Sequence, residues 1–176
     1  MNKIKQIQNK LLDIDLCIHD CIWDERLKLL ESKIIEVITY TIKKLKINRI
    51  RPKIELCIIL TNDQEMRKIN LRYRGKNKST NVLSFPTDEV DLNNLSATIN
   101  EKLLWPLGDI ILSYNTIAQE HTKRLISFES HFMHLLTHGF LHLLNFDHQA
   151  TEDAKHMESL EIAILAQLGI NSPYAL

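Results

Sequence analysis

Apolar residues recur along this chain in two rhythms. Over residues 14–22 they fall at every second position, the period of a half-buried strand, and a first strand is expected there. Leu27, Leu30, Ile34, Ile35, Val37 and Ile38 then fall at helical spacing, which predicts a helix running to about Lys46. A second strand is expected over 53–60 (KIELCIIL). A short helix follows, with Asp63 placed to cap it, Glu65 in its first turn and Gly75 at its end. Residues 80–85 (TNVLSF) read as a third strand closed by Pro86, and 108–113 (GDIILS) as a fourth. Between them, residues 87–106 are acidic at the start and rich in Asn, the composition of a surface loop. Helices are expected over 114–124, over 128–144, and from Thr151 to Leu168, the last opened by Glu152 and Asp153. The reading is an α+β domain: a small mixed four-stranded sheet packed with about five helices.

Composition narrows this to one ordered domain spanning 1–176, because 44% of the residues are hydrophobic and glycine and proline number only four each. No run of about eighteen apolar residues occurs, so no membrane segment is expected. The opening MNKIKQIQNKLLDIDLC lacks the apolar core and cleavage site of a secretory signal, and the cytoplasm is the expected location. Cys17, Cys21 and Cys57 make an odd count without a CxxC pair, which suits free thiols in a reducing compartment. Cys17 and Cys21 are expected on one face of the first strand as packing residues.

The formal net charge is zero, but the charges are segregated. The stretches 43–53 and 67–78 hold twelve of the twenty-two Lys and Arg residues and no acid. Two solvated faces would explain this, and so would an anionic partner.

Chemistry concentrates between His131 and His148, which hold five of the eight histidines. Residues four apart on a helix differ by about 40° in direction and about 6 Å in height, so His138 and His142 project side by side. Asn145 tolerates the left-handed conformation that ends a helix, leaving room for His148 to return as a third ligand. His134 extends the same stripe, but it stands about 12 Å from His142 along the axis, too far to share one ion. His134 is expected as a packed histidine or as a support behind the ligands. Three neutral imidazoles leave one coordination position open, the pattern of a catalytic zinc site that lowers the pKa of water from 15.7 to about 7.

The spacing is also that of the metzincin peptidases, HExxHxxGxxH. There the residue after the first histidine is the glutamate general base; here it is Gly139, and Asn145 replaces the glycine. A metallopeptidase is thus left without its base.

The string HGFLHLLNFDH, residues 138–148, resembles the HGxLHLxGYDH signature of the YbeY family, bacterial metal-dependent endoribonucleases implicated in ribosomal RNA maturation. Two further blocks follow family order: 73–86 (YRGKNKSTNVLSFP) is similar to YRGKDKPTNVLSFP, and 108–113 (GDIILS) to GDIVIS. The resemblance implies a zincin-like site helix with His138, His142 and His148 as ligands of one zinc ion. It implies catalytic roles for His138 and for Arg74, the family's functional arginine. A planar, permanently charged guanidinium suits phosphate oxygens. Lys76 and Lys78 become candidate backbone contacts, and Asp147 either orients a ligand or caps the next turn. The implied substrate is single-stranded or ribosomal RNA, in maturation of the 16S rRNA 3′ end and ribosome quality control, with ribosome-associated proteins as partners. A noncatalytic ribosome-associated RNA-binding factor shares the same basic surface. Asn145, Phe146 and Ser79 depart from the family strings without removing a ligand.

Overall fold

A computed structural model describes residues 3–47, 52–92, 95, 103–148 and 150–174. Its centre is a mixed sheet of β1 (Lys3–Gln8), β2 (Leu12–Ile18), β3 (Lys53–Thr61), β4 (Val82–Pro86) and β5 (Leu104–Ser113), in the order β1-β2-β3-β5-β4. β2, β3 and β5 run parallel, and the two edge strands are antiparallel to their neighbours.

Five strands replace the expected four. β1 carries no alternating pattern because only Ile7 is buried; its lysines reach back to Asp24 and Glu31 instead. The first expected strand ends at Ile18 rather than residue 22. Asp20 accepts from the Ile22 amide and starts a single 3-10 turn, Cys21–Trp23. Cys21 is therefore exposed and does not pack beside Cys17. β5 starts at Leu104, four residues earlier than expected, and shortens the loop before it. Most of that loop beyond Leu92, and the basic stretch 48–51, lie outside the described residues.

Alternation along β2 and β3 sends Leu12, Ile14, Leu16 and Ile18, and Ile54, Leu56, Ile58 and Leu60, to one face. That face meets α1 (Leu27–Lys44) and α4 (Phe128–Leu143) in the main core. Among the described residues, the opposite face is covered near β4 and β5, where Met66 of α2 (Asp63–Arg74) packs on Leu83 and Ile111. Farther along it Asp15 and Glu55 face water. α3 (Tyr114–Arg124) follows β5 directly, and α5 (Thr151–Gln167) closes over α4 through Leu141, Met157 and Ile164.

Asn62, not Asp63, caps α2: its side chain accepts from the Glu65 amide at 3.0 Å. The Asp63 carboxylate instead accepts from Ser79, Ser113 and both the amide and hydroxyl of Thr116, tying α2 to the end of β5 and the start of α3. Gly75, at φ 67°, ends α2 in the left-handed region as expected.

Candidate metal centre

α4 is buried on nearly every side, with the sheet and α1 on one flank and α3 and α5 on the others. Polar groups on such a helix need partners, and its histidines find them in acids. His131 Nε2 lies 2.7 Å from Glu120 Oε2, which also accepts from Asn81. Burial pushes the Glu120 carboxyl up, but the bonds from His131 and Asn81 outweigh it and hold it below the usual range.

Gly139 has a packing role that explains its identity. A Cβ there would stand 2.9 Å from Ser84 Oγ, 3.1 Å from Ile110 and 3.3 Å from Val82. The glycine lets the site helix settle against β4 and β5, and it points at the sheet while its neighbour His138 does not. A glutamate at 139 would drive into the sheet, so no peptidase base can arise there.

The three expected histidines come together. Asn145 takes φ 68° and ends the helix, and the chain then brings His148 back beside the last turn of α4. One donor nitrogen from each of His138, His142 and His148 lies within 4.8 Å of the others. The Nε2 atoms of His138 and His142 are 3.1 Å apart. Two nitrogens each about 2.0–2.1 Å from one tetrahedral zinc stand about 3.3 Å apart, so the spacing and the all-imidazole donor set fit such an ion. Burial first, then the neighbouring His138 and His148, lowers the His142 pKa to about 4, which keeps its ring neutral and able to donate a lone pair near pH 7. His148 is exposed, and the cluster therefore opens to solvent on that side.

Behind the cluster sits a residue the sequence reading passed over, Glu161 of α5. It is fully buried. Its Oε1 lies 2.8 Å from His138 Nδ1; its Oε2 lies 3.2 Å from His134 Nε2 and accepts from the Tyr174 hydroxyl. Burial pushes this carboxyl up, but the bonds from His134, His138 and Tyr174 outweigh it and leave it at about 2. Held by Glu161, His138 carries its proton on Nδ1 and presents the Nε2 lone pair to the cluster. His134 thus stands behind the ligands, through Glu161. Asp147 accepts from the His148 amide at 2.7 Å and does not cap α5, which starts after Ala150 with no side-chain cap bond.

Arg74 ends α2, on the sheet face away from α4, with an exposed side chain; Lys76 and Lys78 are exposed on the following turn. Among the described residues, no hydrogen bond, ion pair or ring contact links these three to the histidines. The turn is pinned by Asn70, which donates to the Lys78 carbonyl at 2.7 Å, and by Arg67, which donates to Asn77. It leads into β4, whose Val82 and Ser84 border Gly139. The basic segment and the site helix are thus joined by one edge strand. Ser84 and Asp109 alternate to opposite faces of the β4–β5 pair, Ser84 toward α4.

A mixed sheet backed by a helix that carries two histidines, with a third from the turn beyond it, defines an α+β protein whose three-histidine cluster could hold a metal ion. The chain belongs to the endoribonuclease YbeY family, whose family model matches residues 21–169. An endoribonuclease YbeY of Sinorhizobium fredii is 38% identical over 166 residues, covering 93% of this chain and 92% of the relative. That of Magnetococcus marinus is 44% identical over 124 residues, 69% of this chain and 83% of the relative. A solution structure from Thermotoga maritima shares the fold at a TM-score of 0.51 with 18% identity, covering 93% of this chain and 99% of that one.

Proposed function

We propose that this chain is a metal-dependent endoribonuclease that hydrolyses phosphodiester bonds in single-stranded RNA, acting on ribosomal RNA in maturation of the 16S rRNA 3′ end and in ribosome quality control. The observation that carries the reading is the solvent-open triad of His138, His142 and His148 in a chain of this family. Gly139 argues against peptide hydrolysis, because the sheet occupies the space a glutamate base would need.

A zinc ion held by the three imidazoles supplies Lewis acidity toward a phosphate oxygen and toward water. The protein's own groups do the rest. Glu161 fixes the ring and tautomer of His138, so the ligand is oriented before substrate arrives. Arg74 offers a planar fork for phosphate oxygens, supported by its exposure and by its acid-free neighbourhood. Lys76 and Lys78 extend that surface along the RNA backbone. Because Arg74 and the site helix lie on opposite faces of the β4–β5 pair, an RNA strand would have to pass around the β4 edge to meet both. Ribosome-associated proteins are the expected partners, and the cytoplasm the expected location; no described helix is long and apolar enough to cross a membrane.

The test is RNA cleavage with metal analysis for the wild type, His138→Ala, His142→Ala and Arg74→Ala. We expect about one zinc per chain, cleavage that a chelator abolishes, loss of metal and activity in the histidine variants, and a weaker but metal-loaded Arg74→Ala. Cleavage that ignores chelators and survives His138→Ala sinks the metal mechanism. Tight RNA binding without turnover under any divalent metal would leave a noncatalytic factor, and cleavage of unstructured polypeptides without RNA turnover would leave a peptidase. Product ends separate attack by water from attack by the 2′-hydroxyl.

A further inference from the structure

A cleft of about 880 Å³ opens between the α3–α4 turn and the C-terminal segment, with His134 at its floor. Its lining holds two cations, Lys123 and Arg124, and no acidic side chain. Neither cation forms an ion pair among the described residues. Ser127, the N-cap of α4, and Ser130 in its first turn line the cleft at the end of a long helix, their hydroxyls bonded to each other and Glu129 between them in sequence. His134 is only 8% exposed, its Nε2 is taken by Glu161, and its Nδ1 has no partner among the described residues.

The rest of the lining mixes polar Asn171 and Ser172 with apolar and aromatic groups, of which Leu125, Ile126 and Tyr174 are exposed. Leu125 sits in the left-handed region at φ 55° and is 92% exposed; the Tyr174 ring is partly exposed. A leucine in a strained conformation with nothing to pack against gains nothing for folding. Cations beside exposed apolar and aromatic faces are what single-stranded nucleic acid uses, phosphate on one and base on the other.

The cleft is also joined to the metal centre. Tyr174 and His134 both end on Glu161 Oε2, and the other oxygen of that carboxylate holds His138. The His134 ring centroid lies 6.4 Å from that of His138 and 5.8 Å from that of Tyr174. An occupant therefore lies behind the cluster, with the buried His134 and Glu161 between it and the three histidines.

We propose that this cleft holds one nucleotide of the bound RNA strand at a distance from the cleaved linkage, its phosphate on Lys123 and Arg124 and its base against Leu125 and Tyr174. This rests on the endoribonuclease reading, and the first arm of its test does not need catalysis. Titration of the full chain with adenosine 5′-monophosphate, followed by amide chemical shifts, is expected to move residues 123–130 and 171–174, with inorganic phosphate much weaker. No shift there overturns the inference, and equal binding of inorganic phosphate overturns the assignment to a nucleotide. The second arm compares the wild type with Lys123→Ala/Arg124→Ala. KM for single-stranded RNA should rise about tenfold, and the slope of log binding against log salt should fall by about 0.7, for the one phosphate no longer neutralised. The Lys123→Arg/Arg124→Lys exchange should restore both, with equal metal content throughout. An unchanged KM and salt slope in the charge-deleted variant overturns the cleft assignment, whereas a wild type that binds the mononucleotide but cleaves no RNA overturns the enzyme reading and leaves the cleft.

Discussion

Nδ1 of His138 and Oε1 of Glu161 lie 2.8 Å apart, and this contact sets which nitrogen of the histidine is left for a metal. Because Glu161 uses its second oxygen on His134 and Tyr174, it needs a full carboxylate. Glu161→Gln places an amide NH₂ against one of these donors. We expect metal affinity to fall about 10–100-fold, measured by competition with a chromophoric chelator. Cobalt substitution should show an altered visible spectrum. An unchanged affinity would mean that the carboxylate only fills space.

Gly139 lies against the sheet, so bulk there should act on stability before chemistry. Gly139→Glu forces a charged side chain into Ser84, Ile110 and Val82, and we expect a loss of about 3 kcal/mol or more. Gly139→Ala should cost less, because the gain in helix propensity of about 1 kcal/mol offsets part of the clash. Ser84→Ala should relieve some of the cost of Gly139→Ala, a coupling that a double-mutant cycle in denaturant reads directly. Additive effects would show that the two side chains do not meet.

The clustering of His138, His142 and His148 was legible because it rests on local geometry: a four-residue helical spacing, a residue that tolerates positive φ, and a returning histidine. Glu161 left a trace as well. It occupies an otherwise apolar stripe with Met157, Ile164 and Leu165, and an acid at a core position of a helix needs an explanation. Tyr174 left none, since its role depends on where the tail crosses α5. β1 was hidden because an edge strand with one buried residue has no period to read. The separation of Arg74 from the site helix was equally hidden. Sequence order places the basic turn just before β4, but only the packing of α2 shows which face of the sheet it comes from.

Asp63 gathers four hydrogen bonds from three segments, and this gives the acid limb of stability a named contributor. Burial pushes its carboxyl up, but bonds from Ser113, Thr116 and Ser79 hold it below the usual value. A lowered folded pKa means the contribution is complete above the unfolded value of about 3.9 and is lost as pH falls through the folded one. Asp63→Asn should cost about 1–2 kcal/mol near pH 7. Below about pH 4 its deficit should shrink. Urea titrations at several pH values would show the two stability curves converging in acid; parallel curves would refute the role.

The three cysteines should separate by reactivity. Cys21 is exposed on the turn after β2, whereas Cys17 and Cys57 face each other across β2 and β3 with sulfurs 3.8 Å apart. Burial, then the neighbouring Cys17, pushes the Cys57 thiol up to about 12, so almost none of it is thiolate at pH 8. A chromogenic disulfide reagent should therefore modify Cys21 in a fast phase and Cys57 only slowly. Cys21→Ser should remove the fast phase, and denaturant should make every remaining thiol react alike. Persistence of the fast phase in Cys21→Ser would place a reactive thiolate on the sheet face instead.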